Sequence, residues 1–72
     1  MGKPINDTER LLLQMVAHGM SYGEMALAVG DTATIVNTKL LRARRKMNAR
    51  NTTHAVAIAI KRGLVRLEDV DG

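Results

Sequence analysis

The chain has 72 residues, 46% of them hydrophobic and 25% charged, with a formal net charge of +4. A chain of this length holds one domain that buries roughly 60% of its extended surface on folding, and the absence of Cys excludes both a disulfide staple and a thiolate metal site. Tyr22 is the single aromatic residue, so the core has to be aliphatic, and a stacking platform for single-stranded nucleic acid, which needs several rings, is excluded.

The net charge conceals a polarised chain. Residues 1–31 carry a net −2 and residues 68–72 a net −3, whereas residues 32–67 hold nine basic residues and no acid. Six of the nine fall between positions 39 and 50: Lys39, Arg42, Arg44, Arg45, Lys46 and Arg50. A field of one sign on one element suits a polyanion partner; a solvated helix face is the plainer alternative, and the complete lack of acids over the segment favours a nucleic acid. The longest apolar run, Ala55 to Ile60, is far short of the roughly 20 residues that span a membrane. The Met1-Gly2-Lys3-Pro4 start has no apolar stretch of signal-peptide type, so a cytoplasmic location is expected.

Capping signals divide the chain into four helices. Asn6 followed by Glu9 is a capping box that opens a first helix with Leu12, Met15 and Val16 on one face and Gly19 as its stop. Ser21 followed by Glu24 opens a second, with Met25, Ala26 and Val29 inward and Gly30 at its end. Thr32 caps a third, from about Ala33 to Met47, and Asn51 a fourth, from about Thr52 to Arg62, closed by Gly63. No segment alternates like a strand. The expectation is one all-α domain of four helices with a core over about 5–66 and a frayed tail at 67–72. The second and third helices, joined by Gly30-Asp31-Thr32 and the latter strongly basic, have the helix-turn-helix pattern.

On the third helix Val36, Leu40, Ala43 and Met47 form one narrow apolar stripe, assigned to the core. The opposite face holds Thr34, Asn37, Thr38, Leu41 and Arg45, flanked by Arg44 on one side and Lys39, Arg42 and Lys46 on the other. Short polar groups at the centre suit base edges, and long cationic stems at the flanks suit the two phosphate rails. Thr34, Asn37, Thr38 and Leu41 are therefore the candidate base contacts. Asn37 can pair bidentately with adenine. Leu41 either packs on a thymine methyl or is an ordinary exposed leucine, and Arg45 reaches a guanine or, preferably, a phosphate. Lys39, Arg42, Arg44, Arg45, Lys46 and Arg50 are candidate phosphate contacts. Tyr22 can add its hydroxyl or simply lie on the surface.

The order of residues carries a resemblance as well. Val16-Ala17-His18-Gly19-Met20-Ser21-Tyr22-Gly23-Glu24-Met25-Ala26 resembles the V-A-x-G-x-S-N-x-E-I-A run of the LuxR/GerE-type helix-turn-helix domain. Thr32-Ala33-Thr34-Ile35-Val36-Asn37-Thr38-Lys39-Leu40 is similar to its S-x-x-T-V-K-x-H-L/V run, and Arg45-Lys46-Met47-Asn48-Ala49-Arg50-Asn51-Thr52-Thr53-His54-Ala55-Val56 to R-K-L-G-V-R-N-R-T-E-A-V. The similarity runs without gaps from Ile5 to about Val65. It implies a four-helix DNA-binding domain that regulates transcription, with its third helix in the major groove and its fourth commonly paired with a second copy. By position, the family's groove-facing sites fall on Asn37, Thr38 and Leu41. The chain departs from the pattern at Asp31, where an aliphatic residue usually packs; at Ile35, which replaces the usual Thr; at Arg44, which replaces a large apolar residue; and at His54, which replaces the usual capping Glu.

On the fourth helix, Val56, Ala59, Ile60 and Gly63 are assigned inward, and Ala55, Ile58 and Arg62 outward as a candidate homodimer surface. No catalytic set, metal site or cofactor site is expected: His18 and His54 lie far apart without clustered carboxylates, and Gly19-x-x-x-Gly23 lacks the Lys-Ser/Thr of a phosphate loop. The functional expectation is a bacterial or phage transcription regulator that binds double-stranded DNA by sequence, works in the cytoplasm on the nucleoid and needs no cofactor. The rival is a protein-interaction module that pairs with a larger regulator or RNA polymerase.

Overall fold

Asn6, Ser21, Thr32 and Asn51 are residues whose short side chains satisfy the unpaired amides at a helix start. In the computed structural model, which describes residues 4–67, each of them is an N-cap. The elements are α1 (Asp7–Ala17), α2 (Tyr22–Val29), α3 (Ala33–Lys46) and α4 (Thr52–Lys61), with no strand among the described residues. Both expected capping boxes form. The Glu9 amide donates to Asn6 Oδ1 at 2.7 Å while Glu9 Oε1 accepts from the Asn6 amide at 2.9 Å, and Ser21 and Glu24 exchange the same pair of bonds at 2.8 and 3.1 Å. Thr32 accepts from the Ile35 amide and Asn51 from the His54 amide. His54, the third residue of α4, returns a bond too: its Nδ1 accepts from the Arg50 amide at 3.0 Å, one residue before the N-cap.

The helices also end alike. Past α1, α3 and α4 the chain turns through a left-handed residue, and the next amide reaches back to the last turn: Met20 to the Met15 carbonyl, Ala49 to Arg44 and Leu64 to Ala59. After α2 the Asp31 amide bonds the Ala26 carbonyl in the same way. Gly19, Gly30 and Gly63 occupy three of these turns with φ between 73 and 82°; the fourth is taken by Asn48 at φ 55°. Asn tolerates this region better than other residues with a Cβ, because its amide bonds locally.

α3 packs on all three other helices, α1 also packs on α4, and α2 lies chiefly against α3. The core consists of Leu12 and Leu13 from α1, Met25 and Ala26 from α2, Val36, Leu40, Ala43 and Met47 from α3, Ala55 and Ala59 from α4, and Val65 beyond it. The whole α3 stripe is buried as its spacing predicts. α4 differs from expectation: Ala55 and Ala59 are fully buried, while Val56 and Ile60 are only half-buried and Gly63 is exposed. Two alanines at a close helix contact let α4 approach α1 and α3, and the bulkier Val56, Ile58 and Ile60 pack along the edges of that contact. After α4 the chain is tied back to α1. Val65 enters the core, and the Gln14 side-chain amide donates to the Arg66 carbonyl and accepts from the Arg66 amide, both at 3.2 Å. Leu67 is described and half exposed; the rest of the expected tail lies outside the described residues. No helix among the described residues is long and apolar enough to cross a membrane.

Two stability measurements follow from the helix ends. Asn48→Ala should lower the unfolding free energy by about 1 kcal/mol, because alanine has no local bond to offset the left-handed turn, while Asn48→Gly leaves it equal or higher; urea titration distinguishes the three proteins. At the second capping box, the Ser21 backbone amide and then its hydroxyl hold the Glu24 carboxyl below its ordinary value of 4.5. A depressed folded-state pKa means that this contribution is complete above the ordinary value and is lost as pH falls through the folded-state one. Wild type should therefore be more stable than Glu24→Gln near neutrality, with the difference closing in acid.

Candidate nucleic-acid interface

A helix that donates one stripe to a core must show the rest of its circumference to something else. The exposed side of α3 begins with Ala33, Thr34, Ile35, Asn37 and Thr38 and continues with Arg42 and Arg45. Arg50, in the turn that follows, is exposed as well. The candidate base contacts Thr34, Asn37 and Thr38 thus share one accessible surface. The Thr38 hydroxyl donates to the Thr34 carbonyl at 3.0 Å, so its hydrogen is used within the helix and its lone pairs face outward. Leu41 is half-buried rather than fully exposed, so only part of its side chain is available to a partner. Arg44 is also half-buried, and Ile35 is 40% exposed. Tyr22, the first residue of α2, is half-buried and packs against the core.

The six cations between 39 and 50 are not equivalent. Lys39 Nζ lies 3.1 Å from Asp31 Oδ2, in the turn that leads into α3. Lys46 Nζ lies 2.9 Å from Glu9 Oε1, and the Glu9 side chain is only 3% exposed. Both lysines, read from sequence as phosphate contacts, are thus engaged within the protein, and the arginines carry the outward charge. Asp31, standing where an aliphatic residue was expected to pack, is half-buried and partnered by Lys39. Sequence reading missed Glu9 and Asp31 as cation partners. Glu9 was visible as a capping residue, but nothing local signals a partner 37 residues away.

The proposed dimer residues separate. Ala55 is fully buried in the core and cannot form a surface, a correction that follows from the rotation of α4 described above. Ile58 is half-buried against the core, and Arg62, the C-cap of α4, is exposed. The outward face of α4 consists instead of Thr53, His54, Ala57 and Lys61. Among the described residues no group of three or more His, Cys, Asp or Glu could hold a metal ion.

No protein-family model matches the chain, and no curated protein matches it either.

The Glu9–Lys46 pair makes an asymmetric prediction. Glu9→Gln keeps a capping side chain but removes the charge, and a quarter-exposed Lys46 can rehydrate, so the expected loss is about 2 kcal/mol. Lys46→Met leaves the Glu9 carboxylate buried without its cation and should cost more, roughly 3 kcal/mol or above. Equal losses in urea unfolding would show that the burial of Glu9 is not what sets the cost.

Proposed function

We propose that the chain is a helix-turn-helix protein of LuxR/GerE type that binds double-stranded DNA by sequence and regulates transcription from the cytoplasm, on the nucleoid. One observation carries the reading: α3 is anchored by three helices on its inner side and presents neutral hydrogen-bonding groups beside outward arginines on its outer side. α2, the three-residue turn and α3 then form the DNA-reading unit, with α3 as the helix that enters the major groove. Thr34, Asn37, Thr38 and the accessible part of Leu41 face base edges. Arg42, Arg44, Arg45 and Arg50 neutralise phosphates, and Tyr22 contributes at most its hydroxyl. Lys39 and Lys46 are engaged first within the protein, by Asp31 and Glu9. A homodimer formed through α4 would pair by the Ala57 face, with half-buried Val56 and Ile60 at its edge, and would match an inverted-repeat site.

Leu27, 87% exposed on α2, favours the second reading, in which the chain docks on a larger regulator or on RNA polymerase. The two readings separate on a duplex of random sequence. Four arginines on four phosphates predict that log K falls with log salt with a slope of about −3 to −4 per monomer. Asp31→Asn releases Lys39 and should steepen that slope by nearly one unit. Retardation assays over a salt series measure both; absence of binding at low salt, together with co-purification of a regulator, would establish the second reading instead.

A further inference from the structure

We infer that the specificity-determining centre of this interface is an A·T-containing step read by Asn37 and Thr38, with guanine recognition confined to the arginine end of α3. The inference rests on the DNA-binding reading above and adds the class of sequence that it selects.

The argument starts from what each base shows in the major groove. Guanine offers two acceptors and is best read by two donors on one cation; adenine offers an acceptor and an amino donor side by side; thymine offers an acceptor and a methyl group. The first two turns of α3 hold no outward cation. Lys39 is the basic residue there, and its ammonium is paired with Asp31 at 3.1 Å. A two-donor reader of guanine is therefore missing from this end.

What the first two turns do offer is complementary to adenine. Asn37 is exposed and its amide makes no hydrogen bond to a described residue, so it is free to donate to adenine N7 and accept from adenine N6 together. Thr38 is biased further. Its hydroxyl hydrogen is held by the Thr34 carbonyl at 3.0 Å, which leaves it an acceptor toward the groove. An acceptor fits the amino group of adenine or cytosine and opposes the acceptor edge of guanine. Ile35, 40% exposed, and the accessible part of Leu41 supply apolar surface of the kind that packs on a thymine methyl. A cytosine would satisfy Thr38 but not the paired donor and acceptor of Asn37. Only A·T pairs match all of these groups at once. The arginines begin at Arg42, in the second half of the helix, and any guanine preference belongs at that flank.

The experiment is selection by the full chain from a duplex pool with a randomised central stretch, followed by affinity measurements on the selected and on random duplexes. Selected sites should share an A·T core with any G·C preference to one side of it in each half-site. Asn37→Ala should lower the ratio of selected-site to random-duplex affinity about tenfold or more, while the salt slope, which counts phosphate contacts, stays the same. Thr38→Val should act in the same direction and Thr38→Ser should retain the preference. Both positions are exposed, and thermal unfolding of each variant checks that the fold is intact. Strong, salt-dependent binding with a G·C core, or with no enriched core, overturns this inference and leaves the DNA-binding reading standing. Failure to bind any duplex at low salt overturns both.

Discussion

The Glu9 carboxylate is the constraint around which the domain is arranged. It is buried, and a buried charge is tolerated only when it is paired and hydrogen-bonded. One of its oxygens accepts from the Asn6 amide at the start of α1 and from the Lys46 ammonium at the end of α3. The first bond makes Glu9 part of the α1 cap; the second fixes where the far end of α3 lies against α1. Because α3 packs on every other helix, fixing its end limits the register of the whole bundle. Lys46 is well placed for a second reason: it sits in the last turn of α3, where the helix dipole favours a cation.

The same dipole reconciles stability with the proposed activity. Arg44, Arg45 and Lys46 crowd the C-terminal turn of α3, where three like charges repel but each is attracted to the unpaired carbonyls. Acids are kept off the outer face and placed at Asp31 and Glu9, where they neutralise the two lysines closest to the protein body. The Lys39–Asp31 pair, partly exposed at both ends, contributes little to stability. Its larger effect is on the field, since it withdraws a positive charge from the end of α3 that carries the neutral groups.

Local chemistry explains which features were legible in the sequence. All four N-caps, and the glycines that end α1, α2 and α4, depend on residues within a few positions of one another, and the structure places each where the sequence put it. The α3 stripe was legible because its four apolar residues recur over about three turns against a charged background. α4 was misread because it has no such contrast: every residue from Ala55 to Ile60 is apolar, and a wheel centred on Val56 put Ala59 inward correctly but Ala55 outward, whereas both alanines are fully buried. The ties between Glu9 and Lys46 and between Gln14 and Arg66 were not legible, since each joins residues that only the tertiary arrangement brings together. At the candidate site, the exposure of Asn37 and Thr38 was readable from the wheel, whereas the direction of the Thr38 hydroxyl and the pairing of the lysines were not.

The withdrawn lysines bear on how such a domain would discriminate between sequences. Phosphate contacts raise affinity for every duplex alike, while base contacts raise it for a few. A surface with six outward cations and three short polar readers would be dominated by the uniform term. Pairing two of the six within the protein reduces that term and leaves Thr34, Asn37 and Thr38 untouched, so affinity would fall for every duplex alike while the preference for one sequence over another would be kept. One small module on DNA buries only about 600–1,000 Å² of protein surface, and with fewer phosphate contacts a single copy would be held weakly. A second copy joined through α4 would restore affinity by raising the effective concentration of the second reading helix at its half-site. On this argument the internal ion pairs and the proposed dimer are two parts of one arrangement, in which specificity is set within the subunit and affinity between subunits.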